Sequence, residues 1–171
     1  IQKVIIAPGK HCDHEDAGTT TDRFGELKIA NAAQPWNDWY LAWFDHWLRG
    51  RGASVASIPN YRYFMLGEDR WLSSDRWPPA ESQRVRWFLS SDGRANSRLG
   101  DGRLAPQARP GAAFDEYVYD PADPVPSRGG PVCCTGNPDD KPGPADQADI
   151  EARSDVLVYT SEPLANGLRI A

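Results

Sequence analysis

Hydrophobic and polar positions along the chain change period several times, and each change marks an element. The run Val4-Ile5-Ile6 is short, apolar and β-branched, and Pro8 closes it, so Lys3 to Ala7 reads as a buried strand. A loop rich in Asp, Gly and Thr follows from Pro8 to Thr21. Trp36, Trp39, Tyr40, Trp43, Phe44, Trp47 and Leu48 then fall at steps of three and four, one helical stripe stopped by Gly50 and Gly52. Aromatic stripes at this spacing usually pack rather than bind ligands, so a core helix is expected.

Tyr61 to Leu66 is a second strand closed by Gly67, and Gly67 through Trp77-Pro78-Pro79 reads as a loop. A different texture begins at Arg84 to Ser91. From there short apolar stretches alternate with Gly/Pro/Asp loops, at Glu116 to Tyr119, Asp155 to Thr160 and Leu168 to Ile170. This predicts an all-β sandwich of well-separated strands. Asp120 to Asp149 has no apolar period and is expected to be a long loop. The composition shift near Pro78 is the best domain boundary, and no internal repeat is found.

Composition narrows the function classes. With 40% hydrophobic and 25% charged residues, the chain has the balance of a folded globular protein. A net charge of -5 argues against a nucleic-acid partner, which needs a basic patch. The apolar runs are strand-sized, too short to span a bilayer, so no membrane partner is expected. Cys12, Cys133 and Cys134 are odd in number, with a vicinal pair and no Cys-x-x-Cys spacing. That is neither a disulfide framework nor a zinc site, and free buried thiols in a reducing, cytoplasmic compartment are the expectation. No cofactor is expected.

His11 is the leading candidate for chemistry. A histidine on a loop after the carboxyl end of a strand stands where α/β sheets place catalytic groups, and an imidazole there can take a nucleophile's proton and return it to a leaving group. By spacing alone, a histidine in a post-strand loop is more often structural than catalytic. His14, flanked by Asp13 and Glu15, reads as a solvated loop residue, and His46 as a partly buried imidazole on the aromatic helix. His11, Cys12, Asp13 and His14 are close in sequence, but neighbouring residues rarely supply several metal ligands without strain. A Cys12–His11 dyad is disfavoured because adjacent side chains diverge. Asp120, Asp123, Asp139 and Asp140 lie in Pro/Gly loops without calcium-loop spacing and read as turn residues. The chain contains no Gly-x-Ser-x-Gly elbow and no phosphate-cradling glycine motif.

Taken in order, these segments resemble the superfamily of serine hydrolases that joins cocaine esterase, X-Pro dipeptidyl-peptidases and α-amino-acid ester hydrolases. Ile5-Ile6-Ala7-Pro8-Gly9-Lys10-His11 is similar to that family's strand and Gly-Pro-Trp-x-His turn. Trp43 to Gly50 resembles its characteristic helix, and Tyr63 to Gly67 with Arg70-Trp71 and Trp77-Pro78-Pro79 its last sheet strand and exit loop. Trp87 to Ser90, Tyr119 to Pro126 with Gly129-Gly130, and Asp155 to Ser161 are similar to the opening strands of its C-terminal domain. Ala7 and Gly9 depart from the family's Gly and Trp, which changes the wall beside the histidine.

The resemblance implies an α/β-hydrolase C-terminal segment over residues 1–79, followed over 80–171 by a partial all-β jelly-roll sandwich of galactose-binding-like type. It implies that His11 is the triad base, that serine and aspartate come from earlier in a longer parent, and that this chain alone is inactive. The substrate would be a small-molecule ester or peptide, and a homo-oligomeric parent is left open. Two rivals stand beside this reading. One is a non-catalytic β-sandwich module that binds sugar or protein, with Trp71, Trp77 and Trp87 as an aromatic platform. The other is a subunit completed by a separately encoded catalytic half.

Overall fold

A computed structural model describes residues 2–9, 23–51, 55, 58–130 and 141–170. These fall into two compact units. The first holds the described residues up to Ser82 together with Gly129, Gly130 and 141–145, and the second holds 83–128 and 146–170.

The first unit is built on a three-stranded sheet of order β1-β4-β5, comprising β1 (Val4–Ile6), β4 (Tyr61–Met65) and β5 (Arg70–Ser74). β1 and β4 are parallel, in register Val4↔Tyr61 to Ile6↔Tyr63. Parallel neighbours require a crossover, and helix α1 (Trp36–Arg49) lies in the segment between them. Lys3 anchors the start of the pair, donating from Nζ to the carbonyl of Ile58 at 2.5 Å and to Oδ1 of Asn60 at 3.0 Å.

β4 and β5 form an antiparallel hairpin from Tyr61↔Ser74 to Met65↔Arg70. It turns through Gly67 and Asp69, both with positive φ. Tyr63 and Phe64 are buried on β4, and with Ile29 and Val55 they make the apolar core among the described residues of this unit. A short hairpin of β2 (Arg23–Phe24) and β3 (Leu27–Lys28) lies between β1 and α1. Gly25 in its turn has φ +60, and a Cβ there would strike the backbone of Pro144. The Glu26 N–H donates to the Pro144 carbonyl at 2.8 Å, and Gly130 and Gly143 bond each other in both directions nearby.

α1 ends where its sequence ends it. Gly50 takes the left-handed conformation at the C-cap (φ 63, ψ 19), and Arg49 in the last turn pairs with Asp45 at 3.0 Å. The packing differs from the expected core helix, because no α1 residue is buried. The first turns meet the sheet: the Trp36 ring stands edge-on to Trp71 at 6.2 Å, and Trp39 lies against Arg62. Farther along, Phe44 is 54% and Leu48 77% exposed.

The second unit is laced from short pieces. β6 (Phe88–Ser90) pairs antiparallel with β7 (Arg103–Ala105) in register Leu89↔Leu104. The expected strand over Asp155 to Thr160 instead makes single bridges, Leu157 to Asn96 and Thr160 to Arg103. Backbone bonds Ser97 N to Val156 O (2.7 Å), Val158 N to Ala95 O (2.8 Å) and Leu104 N to Thr160 O (3.0 Å) complete the lacing. Glu116 to Tyr119 and Leu168 to Ile170, expected as strands, carry no strand ladder. Apart from Ala95, the residues fully or almost fully buried here are polar, Ser90 and Ser91.

Candidate functional site

At the carboxyl end of β1 the chain leaves the sheet through a buried Pro8 and an exposed Gly9. In the parallel register this exit lies beside Tyr63 to Met65, so the carboxyl ends of β1 and β4 open on the same edge. In α/β sheets this edge carries the chemistry. His11 follows two residues after Gly9 and lies outside the described residues, as do Cys12, Asp13, His14, Cys133, Cys134, Asp139 and Asp140.

The other sequence candidates have definite places. His46 is half-buried on α1, its ring edge-on to Trp47 at 4.9 Å. Asp120 closes its own turn, its Oδ1 accepting from the Ala122 N–H at 2.8 Å and its carbonyl from the Asp123 N–H at 3.2 Å. Asp123 is more than a solvated turn residue, because Arg153 donates to its carboxylate and to its carbonyl. Among the described residues no three His, Cys, Asp or Glu side chains come together as metal ligands would. The three tryptophans of the supposed platform are occupied differently. Trp71 is half-buried, donates from Nε1 to the Ala32 carbonyl at 3.3 Å and packs edge-on to Phe64 at 5.5 Å. Trp77 stands edge-on to Tyr63 at 5.2 Å, and Trp87 belongs to the other unit.

Two arrangements escaped sequence reasoning. On β4, Arg62 lies 5.0 Å from the ring centre of Trp39 and 5.6 Å from that of Trp71, so two indoles flank its guanidinium. One terminal nitrogen donates to Oε1 of Gln34 at 2.9 Å, while the buried Nε has no hydrogen-bond partner among the described residues. The faint signal was an arginine set among the aromatic residues Tyr61, Tyr63 and Phe64.

The second arrangement centres on Asp115 in the second unit, whose regular elements β6 and β7 are strands and which is called the β unit below. Its Oδ2 accepts from the Ser91 hydroxyl and from the Tyr159 hydroxyl, each at 2.6 Å, and its Oδ1 accepts from the Ala95 N–H at 2.9 Å. The Ser91 bond, seconded by Tyr159, holds the Asp115 carboxyl below its ordinary value. In return the carboxylate pushes the Tyr159 phenol up to about 12. Ser91 also accepts from the Gly93 N–H at 3.0 Å, which directs its own proton toward Asp115. No nucleophile–base pair is formed here: these serine, aspartate and tyrosine groups satisfy one another.

A family model described as the X-Pro dipeptidyl-peptidase C-terminal non-catalytic domain matches residues 53–171. The chain belongs to this family, within the superfamily that joins cocaine esterase to the X-Pro peptidases. It is 33% identical over 168 residues to the cocaine esterase of Rhodococcus sp. (strain MB1 Bresler), a match spanning 98% of this chain and 28% of the esterase. It is 32% identical over 139 residues to a putative serine esterase of Mycobacterium bovis, covering 76% of this chain and 19% of that protein. The structure is similar to the crystal structure of an aminopeptidase from a marine sediment Thaumarchaeota archaeon, with TM-score 0.71 and 26% identity over 96% of this chain and 25% of that one. The chain therefore spans less than a third of the length of each of these relatives.

Proposed function

We propose that this chain is part of a serine hydrolase of ester or amide bonds, with His11 as the general base. In this reading residues 1–79 end an α/β-hydrolase catalytic domain, and residues 80–171 open a jelly-roll sandwich of galactose-binding-like type. The observation that carries the reading is the parallel β1–β4 pair, with α1 in the segment between its strands and His11 following in sequence from its carboxyl edge. The similarity to cocaine esterase over nearly the whole chain supports it.

The chemistry follows from what an imidazole on such an edge can do. A serine supplied by the parent attacks the acyl carbon while His11 takes the hydroxyl proton. His11 then returns that proton to the departing alcohol or amine, and water repeats the cycle to free the acid. A parent aspartate fixes the imidazole tautomer. Ester and amide substrates share these steps, and pocket residues choose between them. The substrate is a small ester or a peptide, and the chain by itself should hydrolyse neither.

The test is made in the full reading frame that encodes this chain. His11→Ala should lower ester turnover by roughly 10⁴-fold or more, as removal of a triad base does, and should abolish labelling of the serine by a fluorophosphonate. Unchanged turnover in His11→Ala would favour a second reading, in which the chain is a non-catalytic β-sandwich binding module. The non-catalytic description of the family model over residues 53–171 supports that alternative.

A further inference from the structure

Phe114 to Tyr119 runs through the β unit outside any strand ladder, with its apolar side chains turned to solvent. Phe114 is 93% and Val118 82% exposed, so apolar burial does little to hold this stretch. A Phe-Asp-Glu-Tyr-Val-Tyr run, rich in β-formers, would pair readily with another strand edge if it were loose. Its visible tethers are polar: the three bonds to the Asp115 carboxylate, the bond from Asn96 Nδ2 to the Glu116 carbonyl at 2.8 Å, and the Ala113 N–H to the Ser91 carbonyl at 3.3 Å.

We propose that Asp115 is a clasp whose carboxylate, gripped by Ser91, Tyr159 and the Ala95 backbone, holds residues 113–119 on the β unit, so that loss of this grip frees the segment as an aromatic strap while the rest of the unit stays laced. Three observations carry this. Hydrogen bonds to a charged acceptor are the strong ones, and Asp115 collects three of them from two separate parts of the chain, 91–95 and Tyr159. Ser91 is fully buried, so its hydroxyl has no water to turn to when the carboxylate is lost. The backbone bonds that join 95–97 and 102–104 to 156–160 pass through no atom of Asp115, so they persist when the clasp opens.

Hydrogen exchange by mass spectrometry on the protein expressed from the full reading frame that encodes this chain tests this, with chymotrypsin cleavage after Phe114, Tyr117 and Tyr119 as a second readout. In Asp115→Asn, protection of the Ala113 amide, which bonds the Ser91 carbonyl, should fall by about tenfold or more, and cleavage after Phe114, Tyr117 and Tyr119 should quicken. The peptide covering β4 and β5 and the amides of Ser97 and Val158 should keep theirs. Tyr159→Phe and Ser91→Ala, which each remove one bond and leave the charge, should release the same segment to a smaller degree. Equal exchange at Ala113 together with equal cleavage after Phe114, Tyr117 and Tyr119 in all four proteins would overturn the proposal. So would a loss spread evenly over the whole unit in both milder variants, which would make Asp115 one piece of a single cooperative core. Should Asp115→Asn fail to fold, those two variants decide.

Discussion

Arg153 and Asp155 meet fork to fork: Nε donates to Oδ1 and a terminal nitrogen to Oδ2, each at 2.8 Å. The same terminal nitrogen also reaches the Asp123 carbonyl at 2.9 Å, so one guanidinium ties residue 155 to the loop that opens at Asp120. The pairing holds the Asp155 carboxyl below its ordinary value and raises the Arg153 guanidinium. A lysine cannot make two parallel bonds in one plane. Arg153→Lys should therefore lower the melting temperature despite keeping the charge, and Arg153→Ala should lower it further. Differential scanning calorimetry measures both, and equal melting of wild type and Arg153→Lys would show that the fork contributes nothing beyond charge.

Acid should act on the same unit. Asp115 and Asp155 both sit below the ordinary carboxylate value, the first through the Ser91 and Tyr159 hydroxyls and the second through Arg153. A depressed folded-state value means that the stabilisation is present above the unfolded value of 3.8 and is lost as pH falls through the folded one. Protection of Gln83 to Arg128, taken relative to the intrinsic exchange rate at each pH, should thus fall only below that point, and Asp115→Asn should flatten the dependence.

Tyr159 gives the alkaline counterpart. Its phenol is pushed up to about 12 from 10.0, chiefly by the Asp115 bond. The bond's contribution is intact below the unfolded value and disappears as pH climbs through the raised one. Phenolate absorbance, read as the difference between wild type and Tyr159→Phe, should show a late step near 12. Asp115→Asn should move that step toward 10.0, and a step that stays put would remove Asp115 as its cause.

In the sheet of the first unit, Phe64 is 8% exposed and packs edge-on against Trp71. Phe64→Ala should cost about 3–5 kcal/mol, the usual range for emptying an aromatic core site. Phe64→Leu, which keeps most of the volume, should cost clearly less. Urea unfolding followed by tryptophan fluorescence separates the two.

Gly102 is needed for closeness rather than for an unusual backbone angle. A Cβ at this position would collide with the carbonyl of Val158 and come 2.9 Å from the Ala95 side chain. Gly102→Ala should push the 156–160 segment away at a cost of about 1–3 kcal/mol. Faster exchange at the Val158 amide, which bonds the Ala95 carbonyl, is the expected sign.

What the sequence revealed depended on how local the cause was. β1, α1 and β4 were legible because their apolar period and their stops at Pro8, Gly50 and Gly67 are written in neighbouring residues. β5 was read as a loop: Trp71 and Leu72 are adjacent rather than alternating, and Ser73-Ser74 carry no strand signal of their own. It is a strand because β4 supplies its partners, Phe64 for Trp71 and Tyr63 for Leu72. The opposite error fell on Glu116 to Tyr119, whose composition suits a strand but which side-chain bonds to Asp115 and Asn96 hold outside any ladder. For the candidate site, the sequence pointed to His11 and the sheet edge leading to it, while the Arg62 and Asp115 arrangements join residues too distant in sequence for any spacing rule to connect.

Six of the seven tryptophans, at positions 36, 39, 43, 47, 71 and 77, fall in the first unit, leaving Trp87 alone in the second. Intrinsic emission is thus an optical gauge of one half of the molecule, and the guanidinium wedged between the indoles of Trp39 and Trp71 makes it responsive to how that half closes. A melt recorded by tryptophan fluorescence would pass nearly blind over everything Asp115 and Arg153 organise, which a probe that sees both halves, such as calorimetry, would still register.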